Sequence, residues 1–97
     1  MSIRESLQYK DAMRWIDTML LKQSSLGSVK LGQEMASFYL EKINEMLVNP
    51  ELLEDLKLQV VKDSERILED CRRRVQHQDV MDNKHMILNL QDFILSL

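Results

Sequence analysis

Residues 86–97 read MILNLQDFILSL, and no isolated helix can bury that stretch in one direction. At about 100° per residue, Met86, Ile87, Leu90, Phe93, Ile94 and Leu97 fall on one stripe about 120° wide. Leu88 and Leu95, separated by two helical turns, fall on the opposite side. A helix that is apolar on two faces needs two partners, which are expected to be its own core and a surface outside it. The rest of the chain should therefore supply helices that cover the wide stripe. Leu88 and Leu95 are candidate contacts with another chain.

Upstream, Asn49-Pro50-Glu51 is the strongest boundary signal. Asparagine suits a helix cap, proline suits the first helical position, and an acid in the first turn suits the helix dipole. One helix is expected to end near Val48 and the next to begin at once. The second of these carries Leu52, Leu53, Leu56, Val60, Val61, Ile67, Leu68, Cys71 and Val75 on a wide stripe. Leu58 lies off it. Lys57, Asp63, Ser64 and Asp70 interrupt any strict heptad, so a long zipper is not expected.

Toward the N-terminus, Ser2 and Glu5 form a capping-box pattern that should start helix 1. Tyr9, Ala12, Met13, Ile16, Met19 and Leu20 then share a face, and the helix should run to about Gln23. Residues 24–28, SSLGS, read as a turn, with Ser28 expected to cap helix 2. Met35, Ala36, Tyr39, Leu40, Ile43, Met46 and Leu47 form the apolar face of that helix. Gly32 lies on the same face, where its missing side chain would either allow another helix to approach closely or, so near the N-terminus, reflect a looser first turn. Gln76-His77-Gln78-Asp79 is read as the last bend, with Asp79 or Asp82 capping helix 4.

The expected fold is all-α: one domain over residues 1–97, four helices packed as antiparallel hairpins, self-associating as a homodimer. The alternative is three helices, with one continuous helix from Pro50 to Leu97 about 70 Å long.

The composition fits this reading. Two glycines and one proline among 97 residues leave little for hairpins or linkers, and 44% apolar residues suffice for a core. The net charge is −3; residues 1–48 are balanced, and residues 49–97 carry seven basic against ten acidic side chains. Such a chain gains nothing from phosphate counterion release, which disfavours nucleic acid and anionic membrane as partners. The apolar C-terminal stretch is too short and too interrupted to span a bilayer. MSIRESLQYK contains no signal-peptide run, and a single cysteine forms no internal disulfide, so a reducing cytoplasmic location is expected.

No constellation for catalysis stands out: no Ser/His/Asp spacing, glycine-rich loop or paired carboxylates in an apolar setting. The protein is expected not to be an enzyme and to take no small-molecule substrate or cofactor. Cys71, His77 and His85 match no zinc spacing, so no metal is expected. Arg72, Arg73 and Arg74 form the dense basic cluster. Glu69 and Asp70 stand four residues before Arg73 and Arg74, the acid-first order of exposed helical ion pairs. The cluster could also dock an acidic protein. A helix-turn-helix reading of helices 1 and 2 fails because the second helix opens with one lysine and an early glutamate.

Trp15 and Phe38 lie at the margins of their helices' apolar faces, where large rings either cover the core edge or anchor a partner. The expected function is a non-enzymatic, cytoplasmic protein-binding regulator or adaptor, acting as a homodimer through helix faces. Its candidate contact residues are Leu88, Leu95, Trp15, Phe38, Arg72, Arg73 and Arg74. A small nucleic-acid-associated regulator using the arginines, a phage- or virus-encoded inhibitor, and an accessory subunit of a larger helical assembly are the alternatives.

Overall fold

A computed structural model describes residues 2–73 and 78–97. Among them are four α-helices and no strand: α1 (Leu7–Leu21), α2 (Gly27–Val48), α3 (Leu53–Arg73) and α4 (Gln78–Leu95), with short 3-10 turns at Ile3–Glu5 and Pro50–Leu52. The chain runs up and down through a bundle of antiparallel neighbours. Side-chain pairs Tyr9–Phe93, Trp15–His85 and Lys22–Asp82 step in opposite directions along α1 and α4. The single long helix over 50–97 is ruled out. Cys71 Sγ donates to the Val80 carbonyl at 3.4 Å, whereas nine residues of continuous helix would separate the two by about 13 Å.

The boundary at Asn49-Pro50 lies where the sequence places it. Asn49 Oδ1 accepts the Glu51 backbone N–H at 3.3 Å, and Pro50 opens the 3-10 turn that leads into α3. Two caps differ from expectation. Ser2 makes no side-chain cap; a 3-10 turn intervenes, and Ser6 Oγ accepts the Tyr9 N–H at 3.1 Å to start α1. Ser28 is likewise already inside α2, which starts at Gly27 without a side-chain cap, while Ser24 Oγ accepts the Leu26 N–H just before it.

Helix α1 stops at Leu21 rather than Gln23, because a residue of α2 closes it. Gln33 Nε2 donates to the carbonyls of Met19 at 3.2 Å and Lys22 at 2.7 Å. The Lys22 carbonyl is of the kind that a helix end leaves without an intrahelical partner, a need usually met by a glycine cap; the Met19 carbonyl already accepts the Lys22 N–H at 3.3 Å. Here a side chain from the next helix meets the Lys22 carbonyl, and Gly27 needs no positive φ. The expected bend at 76–79 lies largely outside the described residues. Asp82 does not cap α4 but sits one turn inside it.

Helix α4 is the centre of the molecule. It packs against α1, α2 and α3, whereas α1 and α3 make no contact with each other among the described residues. Val80, Asn83, Met86, Ile87, Leu90, Phe93 and Ile94 are buried on it, an arc of about 140° at 100° per residue. Opposite them are Ala12, Ile16 and Met19 of α1, Ala36, Tyr39, Ile43 and Met46 of α2, and Leu56, Val60 and Ile67 of α3. Each fully buried aliphatic or aromatic side chain contributes roughly 1.5–3 kcal/mol relative to exposure.

The close approach expected at Gly32 is present and involves three helices. A Cβ built on Gly32 would overlap Met19 Cε from α1 and Asn83 Oδ1 from α4, and would lie 3.2 Å from Asn83 Cγ. Asn83 cannot swing away freely, since its amide donates to the Ser28 carbonyl at 2.8 Å. Gly32→Ala should therefore destabilise the bundle by about 1–3 kcal/mol through overpacking, despite alanine's higher helix propensity. A thermal melt followed by circular dichroism should show Tm lowered by about 5 °C or more. An unchanged or raised Tm would mean that the three helices do not meet there.

Candidate protein-interaction surface

The seven contact residues inferred from sequence do not converge on one site. Trp15 is half-buried in the α1–α4 seam, where its ring stacks on His85 at 5.6 Å between centroids and 15° between planes. It packs against the core cluster, so core-edge cover accounts for it. Just along the seam, Lys22 forms an ion pair with Asp82, which also accepts from Gln78 Nε2 at 3.0 Å. Burial raises the Asp82 carboxyl pKa, but the Lys22 and Gln78 hydrogen bonds, with the charge of Lys22 and the nearby His85 ring, outweigh it and hold the pKa below the usual range.

The arginines lie elsewhere, on the outer face of α3. Arg72 and Arg73 share one carboxylate, Glu69, at 3.2 and 3.7 Å, and Arg66 pairs with Asp63 at 3.3 Å. The expected Glu69–Arg73 pair is thus present. Arg74, and with it the Asp70–Arg74 pair, lies outside the described residues. Arg72 and Arg73 are mostly exposed, so their ion pairs add little stability.

Leu88 and Leu95 differ in burial. Leu88 is half-buried and packs on the core cluster, while Leu95 is 43% exposed. The premise that α4 needs an outside partner is accordingly weaker than the sequence suggested, because three helices of its own chain enclose it. What remains outside is a row. Met81, Leu88 and Leu95 recur every second turn of α4, and Val61 and Leu68 do so on the adjacent α3. The two rows converge where Leu68 and Met81 line one shallow cleft with Cys71, Arg72 and Lys84. Val61 is 37% exposed, and Leu58 points fully outward on α3.

A second surface lies across α3 from this row. There α2 and α3 separate into a cleft of about 210 Å³ whose floor is Phe38, Leu52, Leu56 and Gln59. Phe38, 39% exposed, meets the buried Tyr39 edge-on at 5.2 Å, and Lys42 Nζ stands 5.6 Å from its centroid. At one end the cleft is lined by Leu52, the last residue of the 3-10 turn that opens at Pro50. Toward the other, the Tyr39 hydroxyl donates to the Asp63 carboxylate at 2.5 Å, tying α2 to α3. Burial, followed by that hydrogen bond and the charge of Asp63, raises the Tyr39 hydroxyl pKa, so it remains a neutral donor. Gln59 Nε2 supplies Asp63 with a further bond at 3.1 Å. Asp63 and Ser64, which break the heptad of α3, are therefore buried and satisfied; Ser64 Oγ donates to the Val60 carbonyl at 2.7 Å.

Cys71 is buried, and that burial raises its thiol pKa, leaving it protonated and poorly nucleophilic. No cluster of three or more metal-ligating side chains occurs among the described residues, and none of their helices is long and apolar enough to cross a membrane. Comparison of the chain with known protein families, with curated proteins and with solved structures found no match to any of them.

The depressed Asp82 pKa has a direct consequence. Its pairing with Lys22 stabilises the fold above the unfolded-state carboxylate pKa of about 3.9, and that stabilisation is lost as pH falls through the lower folded value. Asp82→Asn should lower stability at pH 7 by about 1–2 kcal/mol, between the values for exposed and buried pairs. The difference between variant and parent should narrow progressively in melts as the pH falls below the unfolded-state value of about 3.9. A gap that stayed constant with pH would assign the loss to packing rather than charge.

Proposed function

We propose that this chain is a non-enzymatic protein-binding regulator or adaptor that works in the cytoplasm as a homodimer. The observation that carries the reading is the apolar row on the outer seam of α3 and α4. Val61 and Leu68 lie along the middle of α3, Met81, Leu88 and Leu95 along most of α4, Leu68 and Met81 share one cleft, and none of the five is fully buried. Isolated exposed leucines are ordinary on a monomer, whereas a continuous row two helices wide is the kind of surface that associating proteins cover.

Charge supports a two-fold arrangement. Arg72 and Lys84 flank the row at one end, and Glu54 and Asp92 flank it at the other. A two-fold axis across the seam lays the basic end of one copy on the acidic end of the other, which closes the assembly at two chains. The reading without catalysis draws on the protonated, buried Cys71 and on carboxylates engaged in ion pairs or helix starts.

Light scattering at roughly tens of micromolar chain should give twice the 11.5 kDa mass of one chain. Val61→Glu with Leu95→Glu should return it to a single chain while helical circular dichroism persists, since both positions are partly exposed. A single-chain mass for the unaltered protein would end the homodimer reading.

A further inference from the structure

We propose that the cleft between α2 and α3 receives a cationic amphipathic segment of another protein, an apolar side chain seated on Phe38, Leu52 and Leu56 and basic residues meeting the carboxylates around them. The proposal rests on the protein-binding reading above and gives it a partner of stated chemistry. The cleft lies on the side of α3 opposite the α3–α4 row, so one copy can be paired through the row and hold a partner at the same time.

Shape comes first. The cleft is spanned by fixed points, the Pro50–Leu52 turn at one end and the Tyr39–Asp63 bond toward the other. It therefore does not have to open before a side chain enters, and a preorganised site loses less entropy on binding. Its exposed aromatic ring is the type of residue that concentrates binding energy.

Charge then selects the occupant. Glu45 and Asp55 stand on the rim, and Glu34 and Glu41 flank Phe38 on the outer face of α2, against Lys30 and Lys42. Lys42 is already engaged with Glu45 at 3.5 Å, whereas Glu34, Glu41 and Asp55 pair with no described residue. The helix dipole does not account for Glu45. That residue lies close to the C-terminal end of α2, where the dipole favours cations, and the last turn of the helix carries no basic residue. The negative end of α2 and these carboxylates thus add up beside an apolar cleft. The Phe38 ring already holds an ammonium over its face, a place that a partner's lysine or arginine can take.

Other occupants fit less well. Phosphate-bearing partners meet the same carboxylates with the wrong sign. A second copy would have to offer its own basic cluster, Arg72 and Arg73, which is bound to Glu69. Inserting it head-to-tail would also leave one cleft open and build chains rather than a closed pair.

The test uses the whole 97-residue chain and three synthetic helical peptides of about 15 residues. One alternates leucine and lysine on opposite faces, one carries leucine and glutamate, and one keeps the lysines but replaces leucine by serine. Amide chemical-shift mapping should place the leucine–lysine peptide at Phe38, Lys42, Leu52 and Gln59 and leave Leu95 unmoved. Phe38→Ala, and separately Glu41→Gln with Asp55→Asn, should each weaken it about tenfold, and the other two peptides should bind at least about tenfold more weakly. Equal binding of the serine peptide would reduce the effect to diffuse charge attraction and overturn the proposal, as would shifts centred elsewhere. Concentration-dependent shifts at Phe38 in the protein alone would assign the cleft to a second copy. A failure of the α3–α4 homodimer would change the mass by light scattering without moving these shifts, so the two readings fail separately.

Discussion

Three helices of this bundle meet at the hydrogen atoms of Gly32. Met19 of α1 and Asn83 of α4 occupy the space a side chain would fill, and Asn83 is fixed by its bond to the Ser28 carbonyl. The Asn83 Oδ1 atom is buried and has no conventional donor. It lies where a Cβ on Gly32 would be, so this close contact of the helices comes with one unsatisfied acceptor. The contact draws α2 diagonally onto α4. In a four-helix bundle a short diagonal leaves some neighbouring pair farther apart, and here α2 and α3 are the loosest neighbours. The cleft at Phe38 follows from the same geometry, together with the groove above it lined by Leu31, Met35 and Ile67.

Much of this was legible before the structure. The apolar faces of the four helices and the break at Asn49-Pro50 follow from periodicity and capping chemistry and are present, except that Leu20 and Val61 on those faces are exposed and Val75 lies outside the described residues. The close approach at Gly32 was one of two readings of that glycine, and the structure has it. The stripe of α4 is also the buried one. What periodicity could not decide was how many helices would enclose that stripe. Two apolar faces were read as one inside and one outside, but α4 sits centrally and Leu88 packs at the margin of its own core. The hydrophobic pattern of a single helix carries its width, not the number of its neighbours.

The polar residues inside the bundle were harder to read. Asp63 and Ser64 looked like interruptions of a heptad, and Asn83 drew no notice, although it stands three residues after Val80 and four before Ile87 on the inward arc. Ser64 bonds within its own helix to the Val60 carbonyl, but Tyr39 and Ser28, the partners of Asp63 and Asn83, come from another helix, and no local pattern encodes such a pairing. The same applies to Gln33, whose amide replaces a helix cap from outside the helix it closes. Serine caps failed at Ser2 and Ser28 because the helices simply begin elsewhere. Ser6, four residues after Ser2, takes the Tyr9 N–H on its Oγ, and α2 opens at Gly27, which puts Ser28 inside the first turn. The α2–α3 cleft was invisible for a different reason: it is defined by two helices failing to close, and only its Phe38 was singled out as an off-face ring.

The stacked Trp15 and His85 rings give the molecule an optical property. Trp15 is its single tryptophan, so all of the indole emission comes from one place, the seam between the first helix and the last. An imidazole lying flat against that indole alters its emission only while α1 and α4 are docked. The intrinsic fluorescence of the unlabelled chain therefore reports the joining of its two ends, separately from the helix content of the middle. Local opening of α1 would become visible even where the rest of the bundle stays folded.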